Sequence, residues 1–373
     1  MVGPNLKVLV VDDSALMRKA LKTMLTADGD VEVVLARNGE DALDVLSREE
    51  PDVVTLDVNM PVMDGLTCLS RIMDERPVPV VMVSSITERG AVATLEALEL
   101  GAVDYVAKPG GTVSLNMSEA AEEIRRKVRR AAASRVRPGS LTARLRRQRE
   151  EAFAAGRPAR RTAPGAVAAP RAGAPARGAT GTTGTTDLVV VGSSTGGPAL
   201  LSALLSQFPA DFPAPVVIAQ HMPASFTGAL ANRLDACCAL PVQEVTGLVP
   251  VLPGHVYVAR GDADAVLGRR GGDLVVRPAP AGAGYRWHPS VDRLVASALE
   301  HVEARRTVGV LLTGMGDDGA EQMAQLKARG GRTVAESEDS AVVWGMPGQL
   351  VARDGATRVL HADQIAAQVI AWA

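Results

Sequence analysis

The residues in this chain best suited to chemistry are two serines in a glycine-rich turn. The apolar run Leu188–Val191 leads into a Gly-Ser-Ser-Thr-Gly-Gly segment, after which Pro198 opens a helical pattern. A strand, a tight turn and a helix in this order direct unpaired backbone N–H groups toward the serines. Such a turn suits an anion, either a bound phosphate or the oxyanion of an acyl-transfer intermediate. We predict the oxyanion, with Ser194 as nucleophile, whereas a helix cap is its structural alternative.

A histidine and two aspartates follow other apolar runs. The run Val216–Gln220 ends at His221, and the run Val308–Leu312 leads to Asp317 and Asp318. The carboxyl ends of parallel strands share one sheet edge, where neighbouring strands are about 5 Å apart. A nucleophile, its base and the group that orients the base can therefore converge there. A strand-end histidine and helix-capping aspartates are the structural alternatives.

Metal and dinucleotide chemistry fit the second half of the chain less well than acyl transfer does. The other histidines lack metal-ligand spacing and no Cys/His cluster indicates zinc, so we expect no cofactor here. Those histidines are His255, His288, His301 and His361. A dinucleotide site is the main rival for the glycine turn, but the turn is not G-x-G-x-x-G. Gln220-His221 also replace the acidic residue expected after a second strand.

The first half of the chain predicts a parallel sheet with helices on both faces, because continuous apolar runs alternate with helical patterns. These runs are Val8–Val11, Val31–Leu35, Val53–Leu56, Val80–Val83 and Tyr105–Ala107. The second half alternates in the same way. We therefore predict two α/β, doubly wound parallel-sheet domains, flavodoxin-like in the first half and Rossmann-like in the second.

Polar residues follow the strands of the first half: Asp12, Asp13, Asp57, Ser84 and Lys108. Three close carboxylates repel one another unless a cation lies among them, and an all-oxygen donor set favours Mg²⁺. A carboxylate can itself be phosphorylated, and Asp57, after the central strand, is the predicted acceptor. Lys108 and the Ser84 hydroxyl would hold the phosphoryl oxygens. Any one of these aspartates alone could instead be a helix cap or a loop charge.

Residues 5–130 resemble the receiver domain of bacterial response regulators. The motifs that carry the resemblance are Asp12-Asp13, Leu56-Asp57, Met60-Pro61-x-Met63-Asp64-Gly65 and Lys108-Pro109. The resemblance implies a sensor histidine kinase as phosphodonor and a metal site formed by Asp13, Asp57 and the backbone carbonyl of Asn59. It also implies that Tyr105 changes rotamer on phosphorylation.

Composition narrows the class of protein. A length of 373 residues suggests two domains, and a net charge of −2 gives no whole-chain reason to expect nucleic acid. Three cysteines are an odd number, which favours reduced thiols in the cytoplasm. No apolar signal core precedes the first strand, and no run is long enough for a membrane span, so we expect a cytoplasmic protein without membrane insertion.

The segment between the two halves predicts a basic linker. A basic helix should run from Glu122 to about Val136, followed by a short helical pattern at Leu141–Phe153. Residues 156–186 consist mostly of Ala, Pro, Gly, Thr and Arg and cannot build a core. The arginines could bind nucleic acid, but no recognition motif accompanies them, so we expect a solvated linker. The predicted division is 1–135 receiver, 136–186 linker and 187–373 catalytic domain.

Residues 187–373 resemble the catalytic domain of the chemotaxis protein-glutamate methylesterases. The resemblance rests on five motifs: Gly192-Ser-Ser194-Thr195-Gly-Gly, Gln220-His221-Met222-Pro223, Pro289-Ser290-Val291-Asp292, Leu312-Thr313-Gly314-Met315-Gly316-x-Asp318-Gly319 and Gly345-Met346-Pro347. It implies a catalytic triad of Ser194, His221 and Asp318, with Thr195 near the histidine and the Met315 N–H helping the oxyanion.

The same resemblance implies the substrates and their regulation. The substrates would be γ-glutamyl methyl esters, and certain glutamines, on the cytoplasmic helical bundle of chemoreceptors. The unphosphorylated receiver would occlude the catalytic crevice. Three residues depart from the usual pattern, namely Arg260 in place of proline, His288 in place of arginine and Gly348 in place of a basic residue. The alternatives are a non-catalytic regulator that binds a ligand at the glycine turn and a DNA-binding regulator.

Overall fold

The computed structural model describes residues 6–84, 87–108, 117–134, 186–282 and 284–373. The predicted helical pattern at Leu141–Phe153 and nearly all of the predicted linker lie outside these residues. Among the described residues, no helix combines the length and the apolar character needed to cross a bilayer.

The first domain is a five-stranded parallel sheet with strand order β2-β1-β3-β4-β5. Its elements are β1 Leu6–Val11, α1 Ala15–Leu25, β2 Val31–Ala36, α2 Gly39–Glu49, β3 Val53–Asp57, α3 Gly65–Glu75, β4 Val80–Ser84, α4 Glu88–Leu100, β5 Asp104–Ala107 and α5 Met117–Ala133. Each predicted strand is present. Strands β3 and β4 are buried along their whole length, as continuous apolar runs between two helical layers require.

The last helix of this domain begins earlier than predicted. The basic pattern suggested a start at Glu122, but α5 begins at Met117 and ends at Ala133. Ile124, Val128 and Ala131 are buried against the sheet, which makes α5 part of the first domain. Basic residues are so frequent on the exposed face that the composition of the segment does not show this apolar stripe.

The second domain is built on a seven-stranded parallel sheet with strand order β15-β14-β13-β6-β7-β10-β8. Its first elements are β6 Leu188–Ser193, α6 Gly197–Leu205, β7 Val216–Gln220, α7 Ala224–Cys237, β8 Val242–Val245, β9 Val249–Pro250 and β10 Val256–Ala259. They are followed by β11 Ala263–Arg270, β12 Asp273–Pro280, α8 Val291–His301, β13 Thr307–Leu311, α9 Ala320–Ala328, β14 Arg332–Glu336, α10 Met346–Ala352, β15 Arg358–Leu360 and α11 Ala362–Trp372. The predicted α/β parallel-sheet architecture of both domains is confirmed.

A small antiparallel sheet was not predicted. Strands β11 and β12 form a hairpin through paired glycines at 271 and 272, and β9 pairs with β12. Helix α8 packs against β11, and the chain between β12 and α8 carries Trp287 and His288. The hairpin therefore holds a segment that reaches the rim of the large sheet.

Strands β13, β6 and β7 are neighbours in the large sheet. Leu311 is paired with Gly192, and Gly192 with Ala219, so the three strands end at the same level. The residues that follow them meet at one edge. This adjacency brings the serine turn, His221 and the Asp317-Asp318 segment together.

The two domains contact each other through helices α4 and α5 of the first and α6 and α7 of the second. Tyr105 packs on Phe226, with ring centroids 4.6 Å apart. Glu99 of α4 forms a bidentate ion pair with Arg233 of α7. The contact covers the edge at which β6 and β7 end.

Candidate active site

His221 and Asp318 form a buried hydrogen-bonded pair, with His221 Nε2 2.7 Å from Asp318 Oδ2. The two residues are 97 positions apart in the chain and meet because β7 and β13 lie on either side of β6. Asp317 is exposed instead, and its carboxylate lies 3.8 Å from Arg353. Of the two adjacent aspartates, only Asp318 contacts the histidine.

The carboxylate of Asp318 is saturated with hydrogen-bond donors. Besides His221 it accepts from the Ser290 hydroxyl at 2.9 Å and from the N–H groups of Val291 at 2.7 Å and Asp292 at 3.0 Å. These two N–H groups belong to the first turn of α8, whose dipole also favours a negative charge. Burial alone would raise the pKa of Asp318, but the hydrogen bonds outweigh it and lower that pKa below its ordinary value. Asp318 is thus a fixed anion.

This pairing determines which nitrogen of His221 is a base. An ionised carboxylate can only accept, so Nε2 must carry the proton that it shares with Asp318. Nδ1 then holds the free lone pair. It is buried and has no hydrogen-bond partner within the described part of the chain. A buried imidazole nitrogen in this state is equipped to take a proton from a neighbouring hydroxyl.

Ser194 follows β6. Three glycines allow the backbone of this turn to pack closely against its neighbours. A Cβ on Gly314 would lie 2.7 Å from the Ser194 Cβ, and one on Gly197 would lie 2.1 Å from the Gln220 side chain. Gly196 has a φ of +79°, which glycine adopts without strain. The Ser194 N–H donates to the Thr313 carbonyl at 2.9 Å, so the turn is bound to the end of β13.

Gln220 joins the serine turn to His221, a role that sequence analysis missed. Its amide donates to the carbonyls of Ser194 at 2.9 Å and His221 at 3.1 Å, and its Oε1 accepts from the Ser193 hydroxyl at 2.7 Å. Gln220 is buried. A polar residue that ends an apolar strand just before the histidine was the signal available in the sequence.

One cavity of about 190 Å³ is lined by Ser194, Thr195, His221 and Met315. Within the described residues, no hydrogen bond is found for the Ser194 hydroxyl or for the Met315 N–H, which leaves both for a ligand. The arrangement contains a hydroxyl, an imidazole with a free nitrogen, a fixed carboxylate and a free N–H donor. These groups can carry out acyl transfer.

Thr195 contacts the first domain. Its hydroxyl lies 2.6 Å from Asp104 Oδ2, and both side chains are buried. Asp104 also pairs with Lys127 at 3.2 Å, and the Lys127 ammonium donates to the Tyr105 carbonyl. Residues of the first domain, among them Asp104, Tyr105 and Arg126, complete the wall of the cavity beside Ser194.

Sequence analysis did not identify Trp287 as a residue of the site. Its ring is stacked on the imidazole of His221, with centroids 5.2 Å apart and an angle of 16° between the planes. A tryptophan 66 residues further along the chain gives no local pattern that would indicate this contact.

Two further acids lie near the site, the half-buried Asp292 and the buried Glu336. Burial, together with the charge of Asp318, raises the pKa of Asp292 to about 6, although a backbone hydrogen bond from Gln322 acts in the opposite direction. Burial raises the pKa of Glu336 to about 7, against hydrogen bonds from the Thr313 N–H at 2.7 Å and the Ser340 hydroxyl at 2.9 Å. Both acids support the segments that follow β13.

Three residues depart from the pattern of the family that the sequence resembles, and their surroundings differ. His288 Nδ1 is 3.0 Å from the buried Asp264 carboxylate, which also binds Arg293 at 2.6 Å. Arg260 is exposed. Gly348 lies against Trp344, where a Cβ would be 3.1 Å from the ring.

The predicted acidic cluster of the first domain is assembled at the ends of β1 and β3. Asp12, Asp13 and Asp57 each offer a carboxylate oxygen, and these oxygens lie within 4.8 Å of one another. The Lys108 ammonium is 2.7 Å from Asp57 and 3.0 Å from Asp12. Nevertheless, the Oδ2 atoms of both aspartates lack a hydrogen bond of regular geometry among the described residues. Buried, poorly satisfied carboxylate oxygens that face one another fit a divalent cation.

Burial raises the pKa of Asp57 above its ordinary value, and the nearby Asp12 adds to this, although Lys108 and the Asn59 N–H lower it. Burial lowers the pKa of Lys108, but its two carboxylate partners outweigh that effect and raise it. Ser84 is buried at the end of β4 and its hydroxyl lies 3.3 Å from the Gly90 carbonyl. Tyr105 is buried, with the Lys127 ammonium 4.6 Å from its ring centre.

Two family models match the chain. Residues 8–117 match the family model of the response regulator receiver domain, and residues 189–369 match that of the CheB methylesterase. Two relatives, from Rhodospirillum rubrum and Rhodopseudomonas palustris, are each 53% identical over 369 residues. The matched residues cover 98% of this chain in both cases. They cover 96% of the Rhodospirillum relative and 98% of the Rhodopseudomonas relative. Both relatives bear the name protein-glutamate methylesterase/protein-glutamine glutaminase.

A solved structure, the CheB methylesterase catalytic domain of Thermotoga maritima, covers 50% of this chain and 99% of its own, with 37% identity and a TM-score of 0.49. The chain belongs to the CheB methylesterase family and is an enzyme with a response regulator receiver domain.

Proposed function

We propose that this enzyme hydrolyses γ-glutamyl methyl esters of chemoreceptors to glutamate and methanol, and deamidates certain receptor glutamines, through Ser194, His221 and Asp318. The observation that carries the proposal is the state of His221. Its Nε2 is bound to an aspartate with a lowered pKa, its buried Nδ1 has no hydrogen-bond partner within the described residues, and His221 lines the same cavity as Ser194. The names of the relatives supply the substrate class.

In the first half-reaction, His221 Nδ1 takes the proton of the Ser194 hydroxyl as its oxygen attacks the ester carbonyl carbon. The carbonyl electron pair moves to the oxygen, which the Met315 N–H stabilises. When that pair returns, the bond to the methoxy group breaks and His221 protonates it to methanol. Asp318 stabilises the imidazolium that forms in between. This leaves a glutamyl ester on Ser194.

In the second half-reaction, His221 takes a proton from water, which attacks the glutamyl-serine ester. The Ser194 oxygen leaves and recovers a proton from His221, and glutamate is released. A glutamine substrate follows the same sequence with ammonia as the first leaving group. No cofactor is proposed for this domain.

We further propose that the first domain inhibits the enzyme until it is phosphorylated on Asp57. The support is its contact with the site: Asp104 binds Thr195, Tyr105 packs on Phe226, and Glu99 pairs with Arg233. A substrate helix cannot reach Ser194 while these contacts persist. Phosphorylation would shift the population toward an open arrangement, with Tyr105 changing rotamer.

The phosphorylation site would use the acidic cluster and its lysine. Asp13, Asp57 and the Asn59 carbonyl are the proposed holders of Mg²⁺, with Asp12 nearby. Bound Mg²⁺ would neutralise negative charge during phosphoryl transfer. Lys108 and Ser84 are proposed to bind the phosphoryl oxygens. Lys108 is already placed between two carboxylates.

The remaining assignments follow from this function. A sensor histidine kinase would be the phosphodonor, and the cytoplasmic helical bundle of methylated chemoreceptors the substrate. We propose a cytoplasmic location and no binding to nucleic acid. Residues 1–135 and 187–373 would act as regulatory and catalytic units joined by the linker 136–186.

The test is release of labelled methanol from methyl-labelled receptor membranes, with and without a small phosphodonor. We expect the wild-type chain to release methanol faster with the phosphodonor. Ser194→Ala should take up phosphate normally and release none. Methanol release by Ser194→Ala at the wild-type rate would refute the proposal. A wild-type chain that takes up phosphate but releases no methanol would favour a non-catalytic regulator.

A further inference from the structure

The His221 imidazole has a hydrogen-bond partner at one of its two ring nitrogens among the described residues. Asp318 binds Nε2, while Nδ1 has no partner among the described residues. The Asp318 hydrogen bond holds the ring at Nε2 and contacts neither face of the imidazole. The direction of the Nδ1 lone pair therefore also depends on what packs against those faces.

Trp287 is the aromatic group on that face. Its ring is nearly parallel to the imidazole, at 16° and 5.2 Å between centroids, which is an offset-stacked geometry. Rotation of the imidazole out of its plane would drive it into the indole. Trp287 thus adds to the restraint that Asp318 places on the ring.

The position of Trp287 is itself constrained from three directions. Gly316, in the segment after β13, faces the indole, and a Cβ there would lie 3.5 Å from the ring. The following residue, His288, is bound to the buried Asp264. The guanidinium of Arg286 lies 5.6 Å from the ring centre.

A second cation reaches the indole from the first domain. Arg126, on α5, also has its guanidinium 5.6 Å from the Trp287 ring centre, within the range of a cation–π contact. Neither Arg126 nor Arg286 forms an ion pair with a carboxylate in the described part of the chain. The regulatory domain therefore contacts the group that is stacked on the catalytic histidine.

We propose that Trp287 is a positioning residue, which holds the His221 imidazole with Nδ1 directed at Ser194, and that Arg126 links this stack to the receiver domain. The proposal rests on the proposed function, since it concerns the same hydrolysis. When phosphorylation separates the domains, the stack stays within the catalytic domain and the contact with Arg126 is lost.

The kinetic test compares Trp287→Leu, Trp287→Phe and, as a matched control, Trp372→Phe in the full chain with phosphodonor. Loss of the aromatic plane misorients the base, so we expect kcat for Trp287→Leu to fall about 10- to 100-fold with KM within about twofold. Trp287→Phe retains a plane and should recover most of kcat. The control Trp372 is stacked on Arg332 at the far end of the domain and should have no effect.

The structural test is ¹⁹F NMR of the full chain labelled with 5-fluorotryptophan, which gives three resonances for Trp287, Trp344 and Trp372. His221→Gln removes the ring current of the imidazole and should move only the Trp287 resonance. Arg126→Gln and addition of phosphodonor should also move it. Arg129→Gln is the matched control, because Arg129 lies on the same helix but pairs with Asp28 and Asp30.

The two readouts separate the failure of this inference from that of the proposed function. The inference is wrong if Trp287→Leu keeps the wild-type kcat, or if the chemical shift of Trp287 does not change in His221→Gln. This holds even where Ser194→Ala is inactive. If Ser194→Ala remains active, the hydrolytic mechanism is wrong, whereas the NMR result still reports whether the stack exists. If Trp287→Leu fails to fold, Trp287→Phe and the NMR shifts decide.

Discussion

Asp57 ends strand β3 of the first sheet and Asp318 comes after strand β13 of the second, yet the protein surrounds the two carboxylates in opposite ways. Asp318 accepts four hydrogen bonds and has a lowered pKa. Asp57 has an oxygen without a regular hydrogen bond, faces Asp12 across a lysine and has a raised pKa. The two carboxylates are therefore suited to different tasks.

A saturated carboxylate cannot react further, because its lone pairs are occupied and its charge is stabilised. It can only orient the group that donates to it, which is what the base of an acyl-transfer site requires. Asp57 instead lies close to a second carboxylate and to the Lys108 ammonium, which is the setting that we propose for Mg²⁺ and a phosphoryl group. Two parallel sheets thus hold one aspartate beside another acid and a lysine, and the other as a fixed anion.

The largest effect that separates the two aspartates should come from Asp318→Asn. An amide in its place can present an N–H to His221 Nε2 and reverse the tautomer, which moves the base away from Nδ1. We expect kcat to fall about 10⁴-fold, as for the orienting aspartate of a serine protease. Labelled methanol release measures it. Asp317→Asn is the matched control, since this exposed neighbour should leave kcat within about twofold.

Asp57→Ala should act on regulation instead of chemistry. The variant cannot accept a phosphoryl group, so the rate of ester hydrolysis should no longer respond to a small phosphodonor. Rates with and without phosphodonor measure this, and Asp52→Ala, an exposed aspartate after α2, is the control. Stimulation that survives in Asp57→Ala would show that another residue carries the phosphate.

The contact between the two regions gives a smaller effect. Asp104→Asn weakens the hydrogen bond with Thr195 and the ion pair with Lys127, which stabilise the closed arrangement. A loss of about 1 kcal/mol should raise basal hydrolysis about fivefold. Basal rates measured without phosphodonor check this. The control is Asp44→Asn on the exposed face of α2, and equal rates in both variants would contradict a closed, inhibited form.

The last effect is on folding stability, with no change of rate expected, and concerns Glu336, the buried acid of the second domain whose pKa is raised as that of Asp57 is. Its pKa in the folded chain is about 7, against an ordinary 4.5. The folded state therefore favours the protonated form, and this contribution to stability is present below pH 4.5 and is lost as the pH rises through 7. At most about 3 kcal/mol of unfolding free energy is involved.

Glu336→Gln mimics the protonated form and should remove this dependence. Compared with wild type, its free energy of unfolding should be higher at pH 8 and nearly equal at pH 5, as measured by urea unfolding. Glu338→Gln, an exposed neighbour, is the control. An identical pH dependence in Glu336→Gln and wild type would mean that the acid is not protonated in the folded chain.

The sequence predicted both parallel sheets because their strands are continuous apolar runs, which stand out from amphipathic helices. It did not predict the β11–β12 hairpin. In Ala263–Arg270, small and charged residues interrupt the alternation that marks a half-buried strand. The start of α5 was missed for a related reason, because basic residues mask its buried stripe.

Around the site, the residues with reactive side chains were found and those that hold them were missed. Ser194, His221 and Asp318 belong to motifs that end strands. Gln220, Trp287 and Asp104 act through partners that are distant in the chain or lie in the other domain, so at most their polar position at a strand end, as for Gln220, could indicate a role. For Asp104 the sequence offered one signal, because it is a charged residue at the start of an otherwise apolar strand.

The central claim is that Ser194 is a nucleophile activated by the free nitrogen of His221. Covalent labelling with an organophosphorus fluoride, which reacts with activated serines, tests it without knowledge of the receptor. Peptide mapping of the full chain, treated with phosphodonor, should find one label, on Ser194, which persists in Ser193→Ala and is lost in His221→Gln. A label on another residue, or an equally labelled chain after Ser194→Ala, would contradict the account.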